Sequence, residues 1–329
     1  MKLSIITTLY KSEPYIRKCL DSLLQQDLSY SDYELVIVDD GSPDNCVSII
    51  KEEYQTKYPN IVLIKRSNGG LPEARNTGLE NANGKYVTFV DPDDYVETNV
   101  YGKLINKIQN ENLDMLRYNY TMVEEETYRL LPKYKESLKN VDYTDSIVTG
   151  EAFLGKRLGF ACYVWQFIFK KTLFTDNSIR FREKVFDDAD VLPRLIIHAN
   201  RVTSVDTNVY YYTQRKGSLF NAITSQSAEK KINGWLFLIT VYNDMYAIIQ
   251  DTSVRRWLSA MVTTAYLGIV QTTELYVQDK REEFYARYKQ ANRIPLTLYG
   301  RIWTKKIHII LAMTVPCIYK KLYRIINKS

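Results

Sequence analysis

Apolar, β-branched runs recur through the first 120 residues at intervals that leave room for one amphipathic helix between each pair. Leu3–Leu9 is the first run, and Tyr10-Lys11-Ser12-Glu13-Pro14 follows it. Ser12 or Glu13 can lead into a helix there, with Pro14 in its first turn. On that helix Ile16, Cys19, Leu20, Leu23 and Leu24 make one stripe at spacings of three and four, while Arg17, Lys18, Asp21 and Gln25 face outward. Glu34–Val38 reads as a second buried strand, followed by a helix over about 44–57. Ile61–Ile64 is the third strand and Tyr86–Val90 the fourth, with a helix predicted over 98–110 and a strand over 114–120. Strands alternating with helices of this length predict βαβ units, and so an α/β fold with a Rossmann-like, mainly parallel sheet.

Beyond Tyr120 the pattern weakens. Residues 124–143 are polar and poorly periodic and read as an insertion within 120–150. Order resumes over 161–171, with a helix over about 189–199, and residues 208–219 read as a strand opening into a basic, flexible loop. Residues 225–290 carry the 3.6-residue period of two or three long amphipathic helices. The expected organisation is a first domain of 1–220 and a helical C-terminal region of 221–329 ending in a basic tail.

Composition adds two constraints. At 45% hydrophobic and 25% charged over 329 residues the chain should fold as a soluble globular body. Cys19, Cys46, Cys162 and Cys317 form no CxxC pair, and His198 and His308 are the only histidines, which argues against a zinc site or a disulfide framework. The first apolar run is too short for a signal peptide, so the expected setting is reducing and cytoplasmic. The net charge of +6 is unevenly placed: 284–329 holds ten Lys/Arg and no Asp or Glu, leaving −4 for the rest. No apolar run in the tail approaches the ~20 residues of a spanning helix. Residues 296–329 therefore carry two expectations. One is a basic interfacial helix on anionic lipid at the inner face of the cell membrane, where a lipid-linked acceptor would be found. The other is a helical subdomain or homo-oligomer contact with a solvated basic face. A nucleic-acid partner is not expected, because no binding module accompanies the charge.

The candidate chemistry lies at strand ends. The run Tyr86–Val90 stops in Asp91-Pro92-Asp93-Asp94, three carboxylates in four positions. Such groups raise one another's pKa and need a hard divalent cation, a basic neighbour or full solvation. Asp39-Asp40, the Asn68–Asn76 loop with Arg75, and Asp187-Asp188 supply three more charged segments. In a parallel sheet the strand ends carrying Asp39-Asp40, the Asn68–Asn76 loop and Asp91–Asp94 share one edge, so these groups could converge on one ligand. Each has an ordinary alternative: a helix cap for Asp39-Asp40, a surface ion pair for Arg75, an acidic first helical turn for Asp187-Asp188. Neither GxGxxG nor GxxxxGK[ST] is present, so a nucleotide's phosphates would have to be held by metal and side chains.

Together these residues resemble the inverting family-2 glycosyltransferases of the GT-A fold over about the first 220 residues. The likeness runs through Ser4-Ile5-Ile6 with Tyr10, Val36–Ser42, Asn68-Gly69-Gly70, Ala74–Gly78, Phe89–Asp94, Trp165, Asp187-Asp188, and Tyr211-Tyr212 leading to Arg215, Gly217 and Ser218. It implies a nucleotide-sugar donor, expected to be UDP-linked, and a glycan or lipid-linked acceptor in surface polysaccharide synthesis. Asp40 would accept from the pyrimidine N3–H, with Thr7 or Thr8 and Tyr10 lining the base and Arg75 near the uracil or diphosphate. Asp91 and Asp93 would hold Mn²⁺ or Mg²⁺ against the diphosphate, which Arg215 and Ser218 would grip. Asp188 matches the general base; many relatives have Glu-Asp where this chain has Asp187-Asp188, so Asp187 stays beside it as a candidate. Trp165 would lie by the acceptor, or else in the core. Leu9-Tyr10-Lys11 departs from the family's usual Pro-x-Tyr-Asn and puts the turn geometry there in question. Two other readings compete: a haloacid-dehalogenase-like phosphatase with Asp91 as nucleophile and Asp93 as acid/base, and a sugar-nucleotide-binding scaffold without catalysis.

Overall fold

All seven residues of β1 (Leu3–Leu9) are buried, as are all seven of β2 (Tyr33–Asp39), the burial expected of strands covered on both faces. The computed structural model describes residues 1–131, 142–159, 161–182, 185–215 and 224–297. By its internal contacts the chain divides into two units, Met1–Glu183 with Asp187–Lys216, and Lys184–Phe186 with Gly217–Ser329.

The first unit is built on an eight-stranded sheet of order β3-β2-β1-β4-β7-β6-β8-β5. β1, β2, β3 (Ile61–Lys65) and β4 (Tyr86–Phe89) are parallel neighbours, with Leu9 opposite Asp39, Asp39 opposite Lys65 and Ile6 opposite Phe89. Their C-terminal ends therefore lie along one edge. Helix α1 (Ile16–Leu24) buries the expected stripe of Ile16, Cys19, Leu20, Leu23 and Leu24. The helix after β2 is shorter than predicted: α2 (Cys46–Ile49) passes into a π-helical stretch, Ile50–Gln55. Helices α3 (Leu71–Asn81) and α4 (Tyr101–Asn110) complete the crossovers.

The far half of the sheet is mixed. β7 (Phe167–Lys170) runs antiparallel to both β4 and β6 (Met115–Glu124), and β5 (Tyr95–Val96) antiparallel to β8 (Val202–Gln214). β8 lies parallel to β6, is thirteen residues long and starts earlier than expected, at Val202, with register shifts against β6 on either side of Asn119. Within the expected insertion, Val123 bridges Leu130, while 132–141 fall outside the described residues. Ser218 and the tail from 298 onward also lie outside them.

Among its described residues the second unit contains three α-helices, Ser225–Ile248, Thr252–Tyr276 and Arg281–Ala291. Thr224 and Ser227 form a capping box at the first, and Asp251 caps the second by accepting from Ser253 and Val254 N–H. Glu274 is buried and held by Arg281 and by the Tyr285 hydroxyl. Among the described residues no helix is long and apolar enough to cross a membrane.

Helix α3 carries Arg75, and its seat on the sheet depends on Gly78. A Cβ there would come within 2.4 Å of Ile6 Cγ2 in β1. Gly78→Ala should therefore lower stability by roughly 1–3 kcal/mol through overpacking, read as an earlier midpoint in urea unfolding with an unchanged slope.

Candidate active site

Helix α3 begins at Gly70, whose φ of +89° is a conformation that side chains with a Cβ rarely adopt. One turn in, it carries Arg75 under the sheet edge, with a side chain only 4% exposed. The guanidinium meets three carboxylates from two other segments. Nη1 donates to Asp188 Oδ1 at 2.6 Å and to Asp187 Oδ2 at 2.9 Å, and Nη2 donates to Asp91 Oδ1 at 3.1 Å. Burial disfavours the arginine's charge, but Asp188, Asp187 and Asp91 outweigh it and raise its pKa above the ordinary value.

Asp187 and Asp188 open the helix Asp187–His198, an acidic first turn as the helix dipole favours. Asp188 Oδ2 also accepts from Val164 N–H at 3.2 Å. The Asp188 carboxyl is raised to about 7: burial pushes it up most, Arg75 pulls it down, and Asp187 and Asp91 push it up. A carboxylate in that range can hold or release a proton near neutrality.

The three acids after β4 divide their contacts. Asp91 faces Arg75. Asp93 pairs with Arg215 at 2.5 Å, and burial together with repulsion from Asp91 raises its pKa against the pull of that arginine. Arg215 lies 5.3 Å from the Tyr15 ring, whose hydroxyl donates to Glu125 at 2.7 Å. Asp94 is buried and points to β8, accepting from the Tyr210 hydroxyl at 2.6 Å and Thr213 N–H at 2.7 Å.

Asp40 is buried and clasps the loop before α3: Oδ1 accepts from Arg66 Nη1 at 2.8 Å and Gly69 N–H at 3.0 Å, and Oδ2 from Gly70 N–H at 2.8 Å. Thr7 is buried in β1 with its hydroxyl unpartnered, Thr8 is buried beside it, and Tyr10 is 48% exposed. Trp165, expected by the acceptor or in the core, is in the core. It is 3% exposed and stacked with Tyr163 at 4.7 Å and Tyr210 at 4.2 Å, so it has no free face for a sugar ring. Sequence reasoning brought Asp91, Asp187, Asp188 and Arg75 forward separately and assigned Arg75 to the nucleotide; the structure makes it the hub joining the other three. It passed over Arg66, the Val164 N–H and Tyr210. Tyr210 sits in a run of three tyrosines, and nothing in the chain distinguishes the one that faces inward.

Residues 4–176 match Glycosyl transferase family 2. The uncharacterized glycosyltransferase EpsJ of Bacillus subtilis (strain 168) is 33% identical over 218 residues, 66% of this chain and 62% of EpsJ. The poly(ribitol-phosphate) beta-N-acetylglucosaminyltransferase TarS of Staphylococcus aureus (strain MW2) is 31% identical over 223 residues, 66% of this chain and 36% of TarS. The chain thus matches less than two thirds of either relative's length. In three dimensions the fragment TarS 1-349 superposes with a TM-score of 0.71 at 23% identity, covering 98% of this chain and 87% of the fragment. The same fragment in complex with UDP-GlcNAc superposes at 0.60, with 23% identity and 89% and 90% covered. The mannosyltransferase PcManGT from Pyrobaculum calidifontis, in complex with GDP-Man and Mn²⁺, gives 0.57 at 17% identity, with 98% and 82% covered. These likenesses bear on the fold, and the family match covers more than half of the sequence: the chain belongs to glycosyltransferase family 2 and has a GT-A-like α/β fold.

Proposed function

We propose that this glycosyltransferase is a metal-dependent, inverting enzyme that moves a sugar from a nucleoside-diphosphate donor, most simply a UDP-sugar, to a hydroxyl of a surface glycan or lipid-linked acceptor. The observation that carries the reading is that one buried guanidinium holds Asp188 and Asp91 together. Asp188 is the general base. It takes the proton of the acceptor hydroxyl as that oxygen attacks the anomeric carbon on the face opposite the leaving nucleoside diphosphate, which inverts the configuration. Asp187 shares Arg75 and helps fix its orientation.

Asp91 and Asp93 fit a hard cation: both are oxygen donors in one turn, and Asp93 is raised by burial and then by its neighbour's charge, which a divalent ion would relieve. Among the described residues no three Asp, Glu, His or Cys side chains group to hold a metal, so phosphate oxygens and water would complete the shell. When bound, Mn²⁺ or Mg²⁺ would neutralise charge building on the diphosphate. Arg215, now on Asp93, is placed to turn to the same phosphates. Asp40 Oδ2 keeps one lone pair for a pyrimidine N3–H, with Tyr10 and Thr7 on the neighbouring strand end. The UDP-GlcNAc complex of the TarS fragment supports the donor class, and TarS itself, by its name a poly(ribitol-phosphate) transferase, supports a surface-polymer acceptor. The family assignment leaves the phosphatase and scaffold readings without support.

Incubation with a panel of UDP- and GDP-sugars, Mn²⁺ and candidate acceptors should release the matching nucleoside diphosphate. Asp188→Asn should cut that rate by roughly 10²- to 10⁴-fold, the usual weight of a general base; full activity in this variant would move the base elsewhere. Because the base must be deprotonated and burial raises Asp188, kcat/KM should climb with pH and level off above about 7. A profile flat from pH 5 to 8 would contradict this. For residues 296–329 the proposal of a peripheral membrane contact rests on sequence. The full chain should float with phosphatidylglycerol vesicles and not with neutral ones, and a chain ending at residue 295 should float with neither.

A further inference from the structure

β4 ends at Phe89, and no sheet pairing resumes until Tyr95, so the segment carrying Asp91, Asp93 and Asp94 must be held in place by other means. Like charges within it push apart. The Tyr210 hydroxyl faces this segment and makes two bonds: it donates to Asp94 Oδ2 at 2.6 Å and accepts from the Asp91 backbone N–H at 3.1 Å. The remaining Asp94 oxygen accepts from Thr213 N–H, and Asp94 N–H donates to Asp91 O at 3.1 Å. Asp94 is buried, with both oxygens bonded inside the protein. Val96 pairs with Tyr210 in the sheet, closing the segment on its far side.

Tyr210 is itself fixed from behind. Its ring stacks on Trp165 at 4.2 Å with 13° between planes, and Trp165 stacks in turn on Tyr163 at 4.7 Å and 14°. Tyr120 meets the indole edge-on at 5.0 Å. Val164, between Tyr163 and Trp165 in the chain, is the residue whose N–H donates to Asp188. One short segment therefore touches both ends of the site.

We propose that Tyr210 and Trp165 are positioning residues: the tyrosine hydroxyl anchors the Asp91–Asp94 segment, and the indole, stacked on that tyrosine, sets its spacing from Asp188. The consequence for catalysis rests on the proposed metal-binding role of Asp91 and Asp93; the anchoring itself does not. Outer groups of this kind, when removed, cost about 10- to 100-fold in metal affinity or activity.

Hydrogen exchange on the full-length protein separates the two. Tyr210→Phe removes one oxygen and keeps the stacked ring. Deuterium uptake over 90–97 should rise, with 3–9 and 33–39 unchanged. Mn²⁺ affinity, titrated calorimetrically with the metal alone, should fall about tenfold, and kcat should fall without a change in the pH midpoint. Trp165→Leu should give the same pattern with the hydroxyl intact, and Trp165→Phe should restore most of it. Should Trp165→Leu fail to fold, Tyr210→Phe alone decides. Unchanged uptake over 90–97 in Tyr210→Phe would overturn the inference. Uptake that rises there while Asp93→Asn retains wild-type Mn²⁺ affinity would uphold the anchor and remove Asp93 from the metal.

Discussion

Three carboxylates around one buried guanidinium set the terms for this site. Asp91, Asp187 and Asp188 arrive on two segments nearly a hundred residues apart, and bringing them together without a cation would place uncompensated charge in a poorly hydrated pocket. Arg75 supplies that cation from the first turns of α3, and the fork of its guanidinium suits it to more than one carboxylate at once. The position of α3 is thus an electrostatic requirement as well as a packing one. Gly70 lets the chain turn into the helix, Asp40 clasps the loop that leads there, and Gly78 lets the helix lie close on β1.

The hub also explains how Asp188 can be ion-paired and still titrate near neutrality. A lone salt bridge would depress a carboxyl. Here burial and two neighbouring acids work against Arg75, and the balance falls on the raised side. The acidic segment after β4 shows a similar division. Asp91 and Asp93 are engaged by Arg75 and Arg215, while Asp94 is spent on β8. Adjacent residues of one type thereby acquire unrelated tasks, and the aromatic stack of Tyr163, Trp165 and Tyr210 is the scaffold that separates them.

The parallel half of the sheet was legible because its strands are local apolar runs with helices of recognisable period between them. In the mixed half the strands over 114–120 and from 208 onward were legible, but the order and direction of pairing were not. Phe167–Lys170 is a four-residue strand whose partners, β4 and β6, are chosen by pairing across the chain, and no local pattern encodes that choice. The same limit applies to Trp165. Its chemistry suits a sugar platform and a core equally, and only its two stacked neighbours, Tyr163 nearby and Tyr210 far along the chain, decide between them.

What the chain determines by itself is an inventory and an order: buried strands from hydrophobic runs, acids and an arginine at their ends, and, through the resemblance those residues carry, membership of a glycosyltransferase family. Those signals survive in one dimension because burial of a strand and the chemistry of a side chain are properties of neighbouring residues. Tertiary structure alone decided which acid meets which base. It made Arg75 the link between Asp91 and Asp188, and it bonded Asp94, the third acid of the run, to Tyr210. Charges interact through space over a few ångströms, and the separations that matter here are fixed by α3, β8 and the helix from Asp187, elements that are distant in sequence and adjacent only once the sheet has formed.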